Sequence, residues 1–247
     1  NNKRAAKLRA KTVMFDEMTP SIIMAGFPML DWIDIAMSPV CLPGEVDQNA
    51  NIMYVDAAER MGLAADVCPL PSAEVGCAIV DDYPQVGSSF ITSSMPCDGS
   101  LGAALFMDRY MKKLPSFTLT PPQRFNEPET NAYAVKDLKN CIRFIEETYD
   151  VKWDWDAFWK KAEEYNKTTQ CMLDKWDVNC TPYPQVIGSA LSLQREYEFQ
   201  TAACLDPFMT KQDEKVTKMR LKGYEKDRES DRSDYKYRAI VWCCPAN

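Results

Sequence analysis

Short apolar runs, each closed by a Gly- or Pro-marked turn and followed by a helical pattern, recur through the first half of this chain. Ser21 to Ala25 is one such run, ended by Gly26. Pro28 opens the next segment, and Met29, Leu30, Trp32, Ile33 and Ile35 put a broad apolar face at helical spacing over Pro28 to Met37. Ser38 to Leu42 reads as a strand broken by Pro43-Gly44, and Asn49 to Met61 as a helix with Gly62 as its stop signal. A turn around Cys68 follows, then an apolar, helical segment over Ala73 to Val80. Ser89 to Thr92 is a strand running into Cys97. Gly102 to Lys113 reads as a helix, and Leu114 to Leu119 as a strand closed by Pro121-Pro122. Strand, turn and helix alternate, so the expected class is α/β with a mostly parallel sheet flanked by helices.

The pattern changes at Thr130. Thr130 to Tyr149 is a long amphipathic helix with Thr130 as its cap. Asp154 to Lys167 and Lys167 to Val178 are two further helical stretches. Trp155, Phe158, Trp159, Ala162 and Tyr165 form an aromatic stripe of the kind that is usually core. Gln185 to Leu205 resumes a helical pattern after Pro182 and Pro184. Lys211 to Arg238, dense in both charge signs, reads as a solvated helix face followed by a linker. Tyr237 to Pro245 reads as a fresh buried strand. A strand opening a new α/β unit where the chain stops suggests an incomplete sequence. The expected division is therefore an α/β domain over 1–125, an added helical region over 126–235, and the first strand of a second α/β domain over 236–247.

The balance of 29 basic and 36 acidic residues gives a formal charge of −7, and no basic stripe offsets it. Nucleic acid is a poor partner for such a chain. No apolar run reaches the length of a membrane span, and no signal peptide opens the sequence, so a cytoplasmic protein is expected. Histidine is absent. That excludes Ser-His-Asp and Cys-His catalysis and any His-bearing zinc site within the chain. Chemistry here must use carboxylates, thiolates, Lys, Tyr, hydroxyls or a cofactor.

Ten cysteines in a chain of this length and irregular spacing argue for reduced thiols, most of them buried hydrophobes. Two stand apart. Cys68, in Asp66-Val67-Cys68-Pro69-Leu70-Pro71, and Cys97, in Met95-Pro96-Cys97-Asp98-Gly99, both sit where the chain enters a Gly/Pro-marked turn. Such positions present side chains to a crevice, and two thiolates held there can grip a soft metal or an iron–sulfur cluster. Cys77 is a local competitor for a three-thiolate set, but it lies in an apolar helical stretch. Cys41, Cys141, Cys171, Cys180 and Cys204 read as core or surface thiols. Cys243 and Cys244 face opposite ways along a strand. Asp81-Asp82 reads as a solvated turn. Asp98 and Ser100 sit beside Cys97 and can hydrogen-bond to its ligands. The turn Gly99 to Gly102 offers backbone N–H groups to cluster sulfurs or to a phosphate.

The order of these motifs resembles a known family. Gly26-Phe27-Pro28, then Ser38-Pro39-Val40, then a helix, Asp66-Val67-Cys68, a strand ending in Cys97-Asp98, a helical insertion and Tyr237 to Trp242 follow one another as in the subunits of 2-hydroxyacyl-CoA dehydratases and the related benzoyl-CoA reductases. The resemblance covers that family's first α/β domain (flavodoxin- or Rossmann-like), its helical part and the first strand of its second domain.

The resemblance implies a lyase of anaerobic acyl-CoA metabolism, active as a heterodimer with a paralogous second subunit and served by an ATP-dependent iron–sulfur activator protein. It implies a 4Fe–4S cluster held by three cysteines, with Cys68 as the first ligand and Cys97 as the second. The third comes from the family's second domain, and Cys243 and Cys244 lie too early to match it. It further implies reduction of a 2-hydroxyacyl thioester to a ketyl radical anion, which loses the hydroxyl and renders the β-proton acidic. The Gly26-Phe27-Pro28 turn is the implied approach of the acyl-CoA, although Met24 and Ala25 stand where family members often carry hydroxyls. Two other roles stay open beside the dehydratase: a benzoyl-CoA-reductase-like subunit, and a non-catalytic structural partner of a cluster-bearing subunit.

Overall fold

The computed structural model describes residues 2–15, 21–34, 47, 49–83, 86–94, 98–110, 114–122, 127–186 and 207–233. The chain divides into two compact units, Asn1–Asp154 and Trp155–Asn247.

The first unit carries helix α1 (Asn2–Arg9), strand β1 (Thr12–Phe15), a 3-10 helix (Ser21–Gly26), strand β2 (Asp31–Asp34) and helices α2 (Ile52–Arg60) and α3 (Pro69–Ile79). Strand β3 (Ser89–Ser93), helix α4 (Asp98–Tyr110), strand β4 (Ser116–Leu119) and helix α5 (Pro128–Tyr149) complete it. All the described strands pair in parallel, in the order β2-β1-β3-β4. Short runs with apolar residues on consecutive positions suit this arrangement, because helices cover both faces of a parallel sheet. Met14 and Phe90 point to one face, where Ala58, Val75, Cys77, Ala78 and Ala103 from α2, α3 and α4 meet them. Val13, Phe15 and Ile91 point to the other, against Ile23, Met24 and Phe27 from the 3-10 helix and its turn, and Cys141 and Ile145 from α5. The α/β class and the parallel sheet expected from the sequence are both present.

Several elements differ from expectation. Strand β1, which begins at Thr12 after α1 ends at Arg9, was not expected, because four residues are too few for periodicity to reveal. Pro28 to Met37 holds strand β2 in place of a helix. Trp32 packs edge-on against Phe15 at 6.0 Å while its neighbour Ile33 is 40% exposed. Alternate residues therefore face opposite ways, as pairing with β1 demands. The glycine turn expected over Gly99 to Gly102 is the first turn of α4. The strand 38–42, the strand 237–245, and the helix expected over Gln185 to Leu205 beyond Val186 lie outside the described residues.

One contact fixes a helix to the sheet and another fixes two helices to each other. Tyr149, the last residue of α5, donates its hydroxyl to the Thr12 carbonyl at 2.8 Å and shares a hydrogen bond with Ser89 Oγ at 2.7 Å. Gly76 of α3 lies so close to the backbone of Tyr54 in α2 that no Cβ fits between them. Helices α2 and α3 therefore touch main chain to main chain.

The second unit contains α6 (Trp155–Asn179) and α7 (Pro207–Glu229). The two helical stretches expected on either side of Lys167 are one continuous helix. The aromatic stripe is not core: Trp155 and Trp159 are 54% and 60% exposed and stack on each other at the surface. The face that α6 and α7 share is largely polar instead. Thr168 bonds Thr210 at 3.4 Å, and Lys175 and Asp213, both buried, form an ion pair. The outer face of α7 is the solvated surface the sequence suggests, with Lys211, Lys215, Lys218, Lys222 and Lys226 all exposed.

Candidate cluster site

Strand β1 continues to β2 on one side, and β3 to β4 on the other. The topological switch point therefore falls between β1 and β3, and open α/β sheets bind ligands outside the carboxyl ends of the strands at such a point. Crossover helices run back against the strands, so the amino ends of α3 and α4 belong to this same edge. The two helices pack side by side.

Cys68 is the residue just before α3, with φ −49° and ψ 133°, and its side chain makes no capping hydrogen bond. Its thiol is exposed. Its carbonyl is pinned from within the helix, accepting from Ser72 Oγ at 2.9 Å and from the Ser72 N–H at 3.3 Å. Ser72 itself is buried.

The other described cysteines of this unit are chemically different. Cys77 is fully buried in the sheet's first core, and burial, aided by the Asp82 charge, pushes its thiol up to about 12. Cys141 is equally buried beneath α5, and desolvation followed by the Asp137 charge pushes it up to about 12 as well. Burial in the core sets both apart from the exposed thiol of Cys68. In the second unit, burial raises the Cys171 thiol, while Cys180 is exposed.

Cys97 lies outside the described residues. It falls three positions after Ser94, whose N–H still bonds the Leu119 carbonyl at the end of β4, and immediately before α4 begins at Asp98. Cys68 and Cys97 thus hold the same sequence position, one residue ahead of neighbouring helices. Ser100 is half-buried in the first turn of α4; the Asp98 side chain is not among those described. Among the described residues, no group of three Cys, Asp or Glu side chains is arranged to hold a metal ion.

The Gly26-Phe27-Pro28 turn lies elsewhere. Leu30 donates to the Phe27 carbonyl at 3.0 Å, and Asp31 to the Lys11 carbonyl at 3.0 Å, so the turn leads into the start of β2 on the amino side of the sheet. Phe27 is fully buried and meets the Trp153 ring edge-on at 5.2 Å, while Pro28 is exposed. Asp154 donates to the Gly26 carbonyl at 2.8 Å. The structure gives this turn a packing role and does not bring it to the carboxyl edge where Cys68 sits.

Sequence reasoning read the two prolines that flank Leu70 as marking a turn and passed over Ser72 and the helix that starts there. The available signal was a proline directly after Cys68, since proline favours the first position of a helix.

The family model described as 2-hydroxyglutaryl-CoA dehydratase, D-component, matches residues 44–247, a span that includes both Cys68 and Cys97. No individual curated protein matches the chain. With that match covering most of its length, the chain belongs to the 2-hydroxyglutaryl-CoA dehydratase D-component family.

Proposed function

We propose that this chain is an iron–sulfur subunit of a 2-hydroxyacyl-CoA dehydratase, a hydro-lyase that removes water from a 2-hydroxyacyl-CoA by a reductively initiated radical route. One observation carries the reading: Cys68 and Cys97 each directly precede one of two neighbouring helices on the carboxyl side of a parallel sheet. The donor chemistry fits a cluster. Cys68 is the exposed thiol among the described cysteines of the first unit, whereas burial holds Cys77 and Cys141 protonated. Cys68 and Cys97 would hold a 4Fe–4S cluster together with a third thiolate from outside the described residues. When bound, such a cluster supplies a one-electron donor and a Lewis acid for the thioester.

The chain's own residues do the positioning. Ser72 fixes the backbone of Cys68, and Asp98 and Ser100 stand beside Cys97 to hydrogen-bond around the ligands. The acyl-CoA enters at the carboxyl edge, as switch-point geometry favours. A paralogous second subunit completes the enzyme, and an ATP-dependent activator protein delivers the electron. Among the described residues no helix is long and apolar enough to cross a membrane, in keeping with a cytoplasmic enzyme.

The test is anaerobic purification of the full chain with its partner subunit. The expected preparation is brown, with about four irons per chain, and Cys68→Ala and Cys97→Ala each lose most of the iron. Turnover of 2-hydroxyacyl-CoA and not of aromatic acyl-CoA separates the dehydratase from a benzoyl-CoA-reductase-like subunit. An iron-free, folded wild-type chain sinks the proposal and leaves a non-catalytic structural partner.

A further inference from the structure

Helix α6 is built inside out. The face it turns to α7 includes Thr168 and the buried Lys175, bonded to Thr210 and Asp213. The large apolar side chains lie on the opposite face, where Trp155, Trp159, Leu173 and Trp176 are each half or more exposed. These four are not scattered. With Ala162, Asn166 and Thr169 between them and Cys180 beyond, they recur at alternating steps of four and three residues. That spacing is the a/d seam of a coiled coil, sustained along the whole helix on the side away from α7. Cys180 still belongs to the helical run, since its N–H bonds the Trp176 carbonyl at 3.1 Å, and its thiol is exposed. The 25 residues of α6 give the seam a length of about 37 Å.

The seam is complementary to its own reversed copy. About a two-fold axis between positions 167 and 168, an antiparallel pair sets every a position against a d position. Trp159 then meets Trp176 of the second copy, Ala162 meets Leu173, and Trp155 meets Cys180. Small faces large in the last two layers, which fills space, and aromatic faces aromatic in the first. Asn166 meets Thr169 beside the axis, where the amide and the hydroxyl can bond each other. Slipping the pair by one heptad would set Asn166 against Trp176 or Ala162, so the polar layer selects one register. A parallel pair would crowd each Trp on itself and leave Ala162 facing Ala162. Burying the exposed parts of these side chains removes on the order of 1,000 Å² across two copies, the size at which a specific interface holds. We propose that two copies of this chain associate through their α6 helices, antiparallel, along the seam from Trp155 to Cys180. The pairing draws on the second unit alone and is independent of what the first unit binds.

The experiment is sedimentation velocity of the full chain over a micromolar concentration range, where a reversible dimer is expected. Trp159→Glu and Leu173→Glu each put a charge into the seam and should weaken dimerisation by about thirtyfold or more. Their far-UV circular dichroism should match wild type, because both side chains lie on the exposed face of α6. Lys218→Glu, on the exposed face of α7, controls for the change of charge and keeps the wild-type dimer. Direction is read from Trp155→Cys under mild copper-catalysed oxidation. A disulfide to the native Cys180 of the second copy is expected by mass spectrometry, and it is lost in the Trp155→Cys, Cys180→Ser double variant. A wild type that stays monomeric overturns the inference. A dimer indifferent to both glutamate variants overturns it too, by placing the contact elsewhere. So does a dimer that links position 155 to itself or fails to link it to Cys180, since the antiparallel register is then wrong. A dimer that comes apart when the paralogous subunit is added assigns the face to that subunit and overturns it as well.

Discussion

A hydrogen atom is all that position 26 tolerates. A Cβ there would meet ring atoms of Trp153 at 2.5 to 2.6 Å. The ring cannot easily yield, because Phe27 abuts it at 5.2 Å and the main-chain N–H of Trp153 donates to Glu146 Oε1 at 3.1 Å, which fixes the backbone that carries the ring. Gly26→Ala is expected to cost about 1–3 kcal/mol through overpacking. Combining it with Trp153→Leu should recover part of that loss, so the two changes will not add. Urea unfolding midpoints of the four proteins in the cycle check this; strict additivity refutes the contact. In the sequence, Gly26 was legible as a stop signal, but its partner was not, because the two residues meet only through the docking of α5. Cysteines show the same limit. The apolar stretch around Cys77 hinted at its burial in the sequence, but only the folded sheet shows how completely that thiol is enclosed while Cys68 stays exposed.

At the level of elements, α6 and α7 meet through polar side chains, and this has a measurable consequence. Lys175 and Asp213 are removed from water together, so each is tolerable only while the other remains. Lys175→Met or Asp213→Asn alone is expected to destabilise the chain by about 3–5 kcal/mol, whereas the joint replacement Lys175→Met with Asp213→Leu should cost less than either. Chemical unfolding of the full chain decides the matter. A double variant as unstable as the sum of the singles rules the pairing out. Nothing in the local pattern announces this face. Charged residues on α7 look alike whether they point inward, as Asp213 does, or outward, as Lys215 does. The aromatic stripe on α6 misleads in the opposite sense, since Trp155 and Trp159 satisfy each other at the surface. Strand β2 was misread because four residues are too few to establish a period, and pairing with β1 overrode the apparent helical spacing.

For the molecule as a whole, buried acids of high pKa set an alkaline limit. Burial raises Cys77 and Cys141 from 9.0 to about 12, and burial raises Tyr149 above 10.0 despite its bonds to Ser88 and Ser89. Each group binds its proton more tightly folded than unfolded. Its stabilising contribution is therefore complete below the unfolded value and is lost as pH climbs towards the folded one. Stability should hold up to about pH 9 and then fall with every further unit, and Tyr149→Phe should make that fall shallower. Unfolding free energies measured from pH 7 upward test it; a flat profile to pH 11 contradicts it. The alternation of strand and helix made the parallel sheet and its carboxyl-edge turns legible in advance, because those depend on chain order. The position of the Gly26 turn on the opposite edge was not legible, since it depends on which strand end the turn feeds. Finally, the main-chain contact of Gly76 with Tyr54 bears on the loop that ends at Cys68. With its two flanking helices bolted together, that loop has little slack.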